Sequence, residues 1–284
     1  NEWFGRLIQI VGSYRGEVVS FAGDAFVAVW LRENEDVKPR DLVMRVTACA
    51  HDMQEVQPKL QEELGVSLNF KLGVGLGRFE MLHISGVGGN WALLTRGPGV
   101  EDAIGSEAFA QPGDIIVAPE AWGKLDGVGK GKEADRRGYM LLQGLKEKPE
   151  KFQVKRPKIP DGLEPRLGAY CLPVIRSRIS AGQSSYLAEL RNVSVMFANL
   201  PGLKADTMLA TVHEVVSLAH DAIHQFEGSL NKLSVDDKGV SLLAVFGLPP
   251  VSHEDDAARA CMAAMRLQER LRGIGHGSSV SVST

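Results

Sequence analysis

Asp24 is the side chain best placed to do chemistry. It follows Gly23 at the tip of a tight connection between two apolar runs, 18–21 and 25–30. A carboxylate on so short a support can ligate a hard cation such as Mg²⁺, which takes oxygen ligands and tolerates bound phosphate. The competing reading is a plain turn aspartate, since Asp stabilises turns without any ligand. One carboxylate makes a poor Mg²⁺ site, so a second is expected on a neighbouring element. Lys232 lies inside another strand-like run, between Asn231 and Leu233, and reads either as a buried polar contact or as a solvent-facing lysine. Asp236, Asp237 and Lys238 crowd the turn that follows, and only one of these acids can match the position of Asp24.

Other chemistries find little support. His220 and His224 are four apart on a predicted helix with no HExxH around them, and they read as surface or interface residues. Gly73, Gly75 and Gly77 alternate inside a strand-like stretch, which is the wrong context for a phosphate-binding loop. Gly86, Gly88 and Gly89 read as a flexible turn. No Gly-x-Ser-x-Gly elbow occurs. Cys49, Cys171 and Cys261 are far apart, so buried or half-buried reduced thiols are expected rather than a disulfide framework or a zinc site.

The elements that must position these residues follow from pattern. The chain has 284 residues, 44% apolar and 24% charged, which suits two globular domains. Its formal net charge of −3 offers no basic field for nucleic acid, and no apolar run is long enough to span a membrane. Helical spacing predicts helices over 2–14, 40–57, 207–226 and 257–271. Hairpins are predicted over 18–30 and 229–246, with strands at 115–118, 193–199 and from about 280. Residues 66–77 read as a strand with 79–84 as its possible hairpin partner. Pro119 starts a short helix. Prolines, serines and glycines between 149 and 185 read as a linker. The order helix, glycine, hairpin, charged loop, helix, strand occurs twice. Gly16 and Gly228 are 212 positions apart, and Ala28 and Ala244 are 216 apart, so the second hairpin is longer at its tip. Both ends read as cuts through a larger protein.

At this point the segment Phe21-Ala22-Gly23-Asp24-Ala25 becomes diagnostic: it resembles the metal-binding hairpin of class III nucleotidyl cyclases, in particular the soluble, bicarbonate-responsive adenylyl cyclases. The run from Leu187 to Leu200 resembles the entry into their second catalytic domain. Asn231-Lys232-Leu233 and Asp237-Lys238-Gly239 resemble its hairpin, and the stretch from Phe246 to Ala257 its following turn and helix.

The resemblance implies an α/β, ferredoxin-like fold in each of two paired domains, both incomplete here. Residues 1–150 would be the end of the first domain, 151–190 a linker and 191–284 the start of the second. It implies ATP at the domain pairing and a pair of Mg²⁺ ions, with Mn²⁺ as substitute. Asp24 would be a metal ligand and so catalytic, with a second acid on a strand before Asn1. Lys232 would contact adenine, with Asp237 also on the substrate side, and Asn199 would stand where the first domain has that other acid. It implies a cytoplasmic protein, with the cilium or flagellum as a further location and a larger assembly as a partner. Two departures stand out. Bicarbonate-responsive relatives have a Lys before the Phe-Ala-Gly-Asp segment and an Arg in the first-domain helix near residue 104, where this chain has Ser20 and Ile104. A degenerate anion site with weak or absent bicarbonate activation is expected. The rival readings are a cyclase-derived scaffold and a guanylyl cyclase.

Overall fold

The computed structural model describes all residues except 1, 66–68, 135–136, 155–159, 183–190, 205 and 237–238. The chain divides into two compact units. One comprises Asn1–Phe79 with Gly97–Pro157, the other Glu80–Arg96 with Lys158–Thr284.

The second unit contains β9 (Ser194–Leu200), α7 (Leu209–Gln225), β10 (Ser229–Asp236), β11 (Gly239–Phe246), α8 (Asp256–Gly273) and β12 (Ser279–Ser283). Its sheet runs β10-β11-β9-β12, and every neighbouring pair is antiparallel. This is the βαββαβ order of a ferredoxin-like sandwich. Both helices cover one face. Val212, Val216, Ala219 and Ile223 of α7 and Ala260, Ala263, Leu267 and Leu271 of α8 share a core with Met196, Ala198, Leu242 and Phe246. Those α8 positions are three or four apart, the helical spacing that makes one apolar face. At the start of α8 the Asp256 carboxylate accepts from the His253 amide at 2.9 Å, satisfying a free donor beside the first turn.

The first unit repeats part of this plan. Its elements are α1 (Glu2–Ser13), β1 (Glu17–Ala22), β2 (Ala25–Val29), α2 (Pro39–Leu64) and β3 (Leu72–Val74). It continues with α3 (Pro98–Phe109), β6 (Ile115–Val117), α4 (Pro119–Gly123), β7 (Gly129–Glu133) and β8 (Met140–Leu145). β1 and β2 form a separate hairpin, and the sheet runs β3-β6-β8-β7, with β3 parallel to β6. The described residues hold no first-copy counterpart of β9. A cleft lined by Val27 and Val29 of β2, Val43 and Val46 of α2, Val74 of β3 and Val100 of α3 lies between β2 and β3.

Several expectations are corrected. Of the strand expected over 66–77, the described residues form only β3, which pairs with β6 and not with 79–84. Gly73 and Gly75 instead receive the backbone of α3. A Cβ on Gly73 would strike the Ala103 carbonyl, and one on Gly75 the Gly99 carbonyl. The alternating glycines are a helix-packing surface, which needs bare backbone. The 79–84 stretch becomes β4 (Glu80–Ser85), which pairs antiparallel with β5 (Trp91–Arg96). Leu82, Ile84 and Leu94 of this hairpin are buried in the core of the second unit. His220 is not a surface residue. It is 7% exposed, and Gly86 lies so close that a Cβ there would come within 2.5 Å of the ring. Burial, and then the neighbouring His224, holds its pKa below the ordinary histidine value. His224 is exposed. Of the cysteines, all free, only Cys49 is buried, while Cys171 and Cys261 are exposed. The linker also carries structure, α5 (Glu164–Gly168) and α6 (Pro173–Ser180).

Candidate functional site: two hairpins on one frame

The two hairpins share a root. In the first copy the amides of Tyr14 and Gly16 both donate to the Val11 carbonyl, at 3.1 and 3.0 Å. In the second, Phe226 and Gly228 donate to Ile223 at 3.2 and 3.0 Å. The residue before each glycine, Arg15 or Glu227, has a left-handed backbone with φ of 61° or 60°. Each glycine carries an aromatic ring on its α-carbon. A Cβ on Gly16 would come within 2.5 Å of Trp30, and one on Gly228 would strike Phe246. Every counterpart keeps the offset of 212 before the hairpin tip or 216 after it. The repeat is therefore physical as well as textual.

The bulges repeat too. In β1 the register shifts between Val18 and Ser20, and in β10 between Leu230 and Lys232. The residue after each bulge pairs with Val27 or Leu243. Ser20 and Lys232 are thus equivalent positions, each half-buried, one bearing a hydroxyl and the other an ammonium. A bulge re-aims the side chains beside it, a device common near functional sites.

The tips differ. Ala22 pairs with Ala25, so Gly23 and Asp24 make a two-residue loop. Gly23 has φ of 68°, the conformation that a type II′ turn requires at its first central position. The loop holds the Asp24 carboxylate in solvent on a short, regular support. Behind the tip, Phe4 of α1 packs edge-on against Phe21 and Phe26, with ring centroids 5.6 and 6.2 Å apart. The second hairpin continues for two further pairs, Val235 with Val240 and Asp236 with Gly239. Asp237 falls outside the described residues. Asn199 sits on the central strand β9, opposite Ser241 on one side and Ser279 on the other. Ile104 is half-buried on α3 in the first unit. Asp24, Ser20 and Ile104 belong to the first unit and Lys232 to the second.

As a metal ligand, Asp24 fits a hard divalent cation as one oxygen of a larger shell, and one carboxylate alone completes no such shell. A second group of candidate ligands, which sequence reading missed, is His51, Asp52 and Glu55 on α2. It suits an ion poorly, because the Lys148 ammonium already sits in it. That nitrogen lies 3.1 Å from His51 Nδ1, 2.9 Å from Asp52 Oδ1 and 3.2 Å from Glu55 Oε2.

No protein-family model matches the chain. Over 93% of its length it is 26% identical to adenylate cyclase type 10 of Rattus norvegicus, and equally to that of Homo sapiens. It spans 18% of the length of each. Among solved structures it resembles the adenylyl cyclase CyaB from P. aeruginosa, with 15% identity and a TM-score of 0.40 over 55% of this chain and 81% of that one. A guanylyl cyclase structure gives 18% and 0.42 over 51% and 78%. At those scores the fold assignment rests on the βαββαβ topology described above. No helix among the described residues is long and apolar enough to cross a membrane. The Phe21–Ala25 hairpin, its repeated frame and a similarity spanning nearly the whole chain point the same way: this protein is similar to class III nucleotidyl cyclases.

Proposed function

We propose that the chain forms part of an adenylyl cyclase, which converts ATP to 3′,5′-cyclic AMP and pyrophosphate. The observation that carries this reading is the asymmetry of two equivalent hairpins. One presents a carboxylate, Asp24, at its tip, and the other presents an ammonium, Lys232, after its bulge. In the reaction the ribose 3′-oxygen attacks the α-phosphorus. A new P–O bond forms, the bond to the β-phosphate breaks, and pyrophosphate leaves. The protein's share is positioning and charge stabilisation. Asp24 would hold a divalent ion, Mg²⁺ or Mn²⁺, completed by water, phosphate and a further carboxylate. Such an ion, when bound, neutralises phosphate charge and acidifies an oxygen it touches. Lys232 would donate to the adenine and hold the base, with Asp237 on the same side. Asn199 is neutral where a metal-binding copy would carry an acid, which supports a reading with metal at the first hairpin and base at the second. The similarity to adenylate cyclase type 10 and the lysine at position 232 both favour ATP over GTP.

A scaffold role is the second reading. It rests on Ser20 and Ile104, which put no cation at the positions where the resemblance expects an anion site. Production of cyclic nucleotide by the intact protein with Mg²⁺ or Mn²⁺ separates the two. Asp24→Ala should lower it about 100-fold or more. Undiminished product in that variant removes the catalytic assignment.

A further inference from the structure

The two hairpin roots differ in polar atoms. At the repeat offsets, Tyr14 corresponds to Phe226 and Trp30 to Phe246. The second copy therefore has an all-hydrocarbon pair. The first copy has an indole N–H and a phenol O–H, and both are used. Trp30 Nε1 donates to the Tyr14 carbonyl at 3.0 Å. Tyr14 Oη donates to Asp52 Oδ2 at 2.8 Å, and Tyr14 is 1% exposed.

Asp52 is in turn held from the other side. Lys148 Nζ donates to Oδ1 at 2.9 Å, and Lys151 Nζ lies 2.6 Å from Oδ2. Both lysines belong to the segment 148–154 that leaves β8. The same segment crosses the end of α1. The Phe152 amide donates to the Ser13 carbonyl at 2.7 Å. The Phe152 ring lies 3.9 Å from the Arg15 guanidinium and 5.3 Å from that of Arg45. Val154 packs on Gly12. A continuous path thus runs from this strap through Asp52, Tyr14 and Trp30 into the base of the hairpin whose tip is Asp24. Hydrogen bonds in such a path, buried and partly ionic, are stronger and more directional than a hydrocarbon contact.

We propose that Asp52 is a positioning residue. Acting through Tyr14 and Trp30, it fixes the base of the β1–β2 hairpin, and the strap 148–154 holds it in place, so that the start of the linker sets the rigidity of the Asp24 tip. The proposal rests on the cyclase reading only for its activity readout. Backbone order of the hairpin is independent of that reading.

Amide hydrogen exchange on the full chain tests it. In Asp52→Asn, exchange over residues 17–29 should rise about tenfold, because the lysines and the phenol lose a charged acceptor. Exchange over 229–246 and in the β6–β8 sheet should stay as in the parent. Tyr14→Phe, a milder change that leaves packing nearly intact, should give a smaller rise over the same residues. If Asp52→Asn does not fold, Tyr14→Phe decides alone. A rise spread evenly over the first unit, or none over 17–29, overturns the proposal. The activity arm measures the Mn²⁺ concentration for half-maximal cyclic-nucleotide production. It should rise several-fold in Tyr14→Phe with the KM for ATP little changed, whereas a rise in KM alone with the Mn²⁺ requirement fixed counts against the proposal. A parent protein that makes no cyclic nucleotide defeats the cyclase reading and leaves the exchange result standing as the judge of Asp52.

Discussion

The β1–β2 and β10–β11 hairpins are built on one frame and anchored in different ways. Root hydrogen bonds, left-handed residue, ring-stacked glycine and bulge recur at fixed offsets. The first is then tied at its base by the buried Tyr14–Asp52 bond and two lysines. The second is tied by Arg259, which bridges Glu227 at 2.6 Å and Asp255 at 2.8 Å, with Glu227 and Asp255 largely in solvent. Solvated pairs of this kind contribute little, often under about 1 kcal/mol. The comparison suggests a division of labour. A hairpin that offers a single carboxylate at its tip depends on stiffness from below. A hairpin that offers a lysine from inside its strand has the stiffness of a four-stranded sheet already, since β11 is flanked by β10 and β9.

The largest effects should come from the shared frame. Gly16→Ala and Gly228→Ala each place a methyl group against a fixed ring, Trp30 or Phe246. Each should cost about 1–3 kcal/mol by overpacking, read as the loss of urea midpoint with unchanged slope. If only one copy is sensitive, the frame is not shared in energy.

Much of this was legible in the chain. The offsets of 212 and 216 exposed the repeat because glycine and small residues mark the root and are hard to replace there. Helices α1, α7 and α8 were legible from apolar spacing. The partner of β4 was not, because strand pairing is non-local and 66–77 looked like the nearest strand. The glycines that spoiled that stretch as a hairpin partner were packing against α3. The burial of His220 was hidden for the same reason, since it depends on a hairpin more than a hundred residues earlier. Asp52 was missed as one acid in a polar helix. The signal was present in the repeat itself, in the change from Phe226 and Phe246 to Tyr14 and Trp30.

A middle-sized effect should separate the anchors by pH. Burial raises the Asp52 pKa, but bonds from Lys151, Lys148 and Tyr14 outweigh it, and the net value lies below the ordinary carboxylate range. The stability this adds is present above the unfolded pKa, about 4, and is lost as pH falls through the lower folded value. The groups facing Asp52 are Tyr14 in the turn after α1, Cys49, His51 and Glu55 on α2, and the two strap lysines. Burial pushes Cys49 up to about 12 and, with Asp52, holds the Tyr14 phenol protonated, so neither changes charge in that window. Lowering the pH from 6 toward 3 should therefore loosen residues 17–29 more in the parent than in Asp52→Asn, by amide exchange corrected for intrinsic rates. An equal response in both would detach Asp52 from the acid effect.

The smallest effect is expected at the degenerate anion positions. With Ser20 and Ile104 in place, bicarbonate should change cyclic-nucleotide production by less than about twofold, since neither side chain is a cation that could bind it. A several-fold rise that disappears in Ser20→Ala would show that the site works by another arrangement.

The division of labour itself is tested most directly by product ratio. The intact protein is given equal ATP and GTP with Mn²⁺, and both cyclic nucleotides are measured for the parent, Asp24→Asn and Lys232→Glu. Asp24→Asn should lose both products together, and Lys232→Glu should keep measurable turnover while its ratio of cyclic AMP to cyclic GMP falls. Undiminished product from Asp24→Asn, or an unmoved ratio in Lys232→Glu, would contradict the assignment of metal to the first hairpin and base to the second.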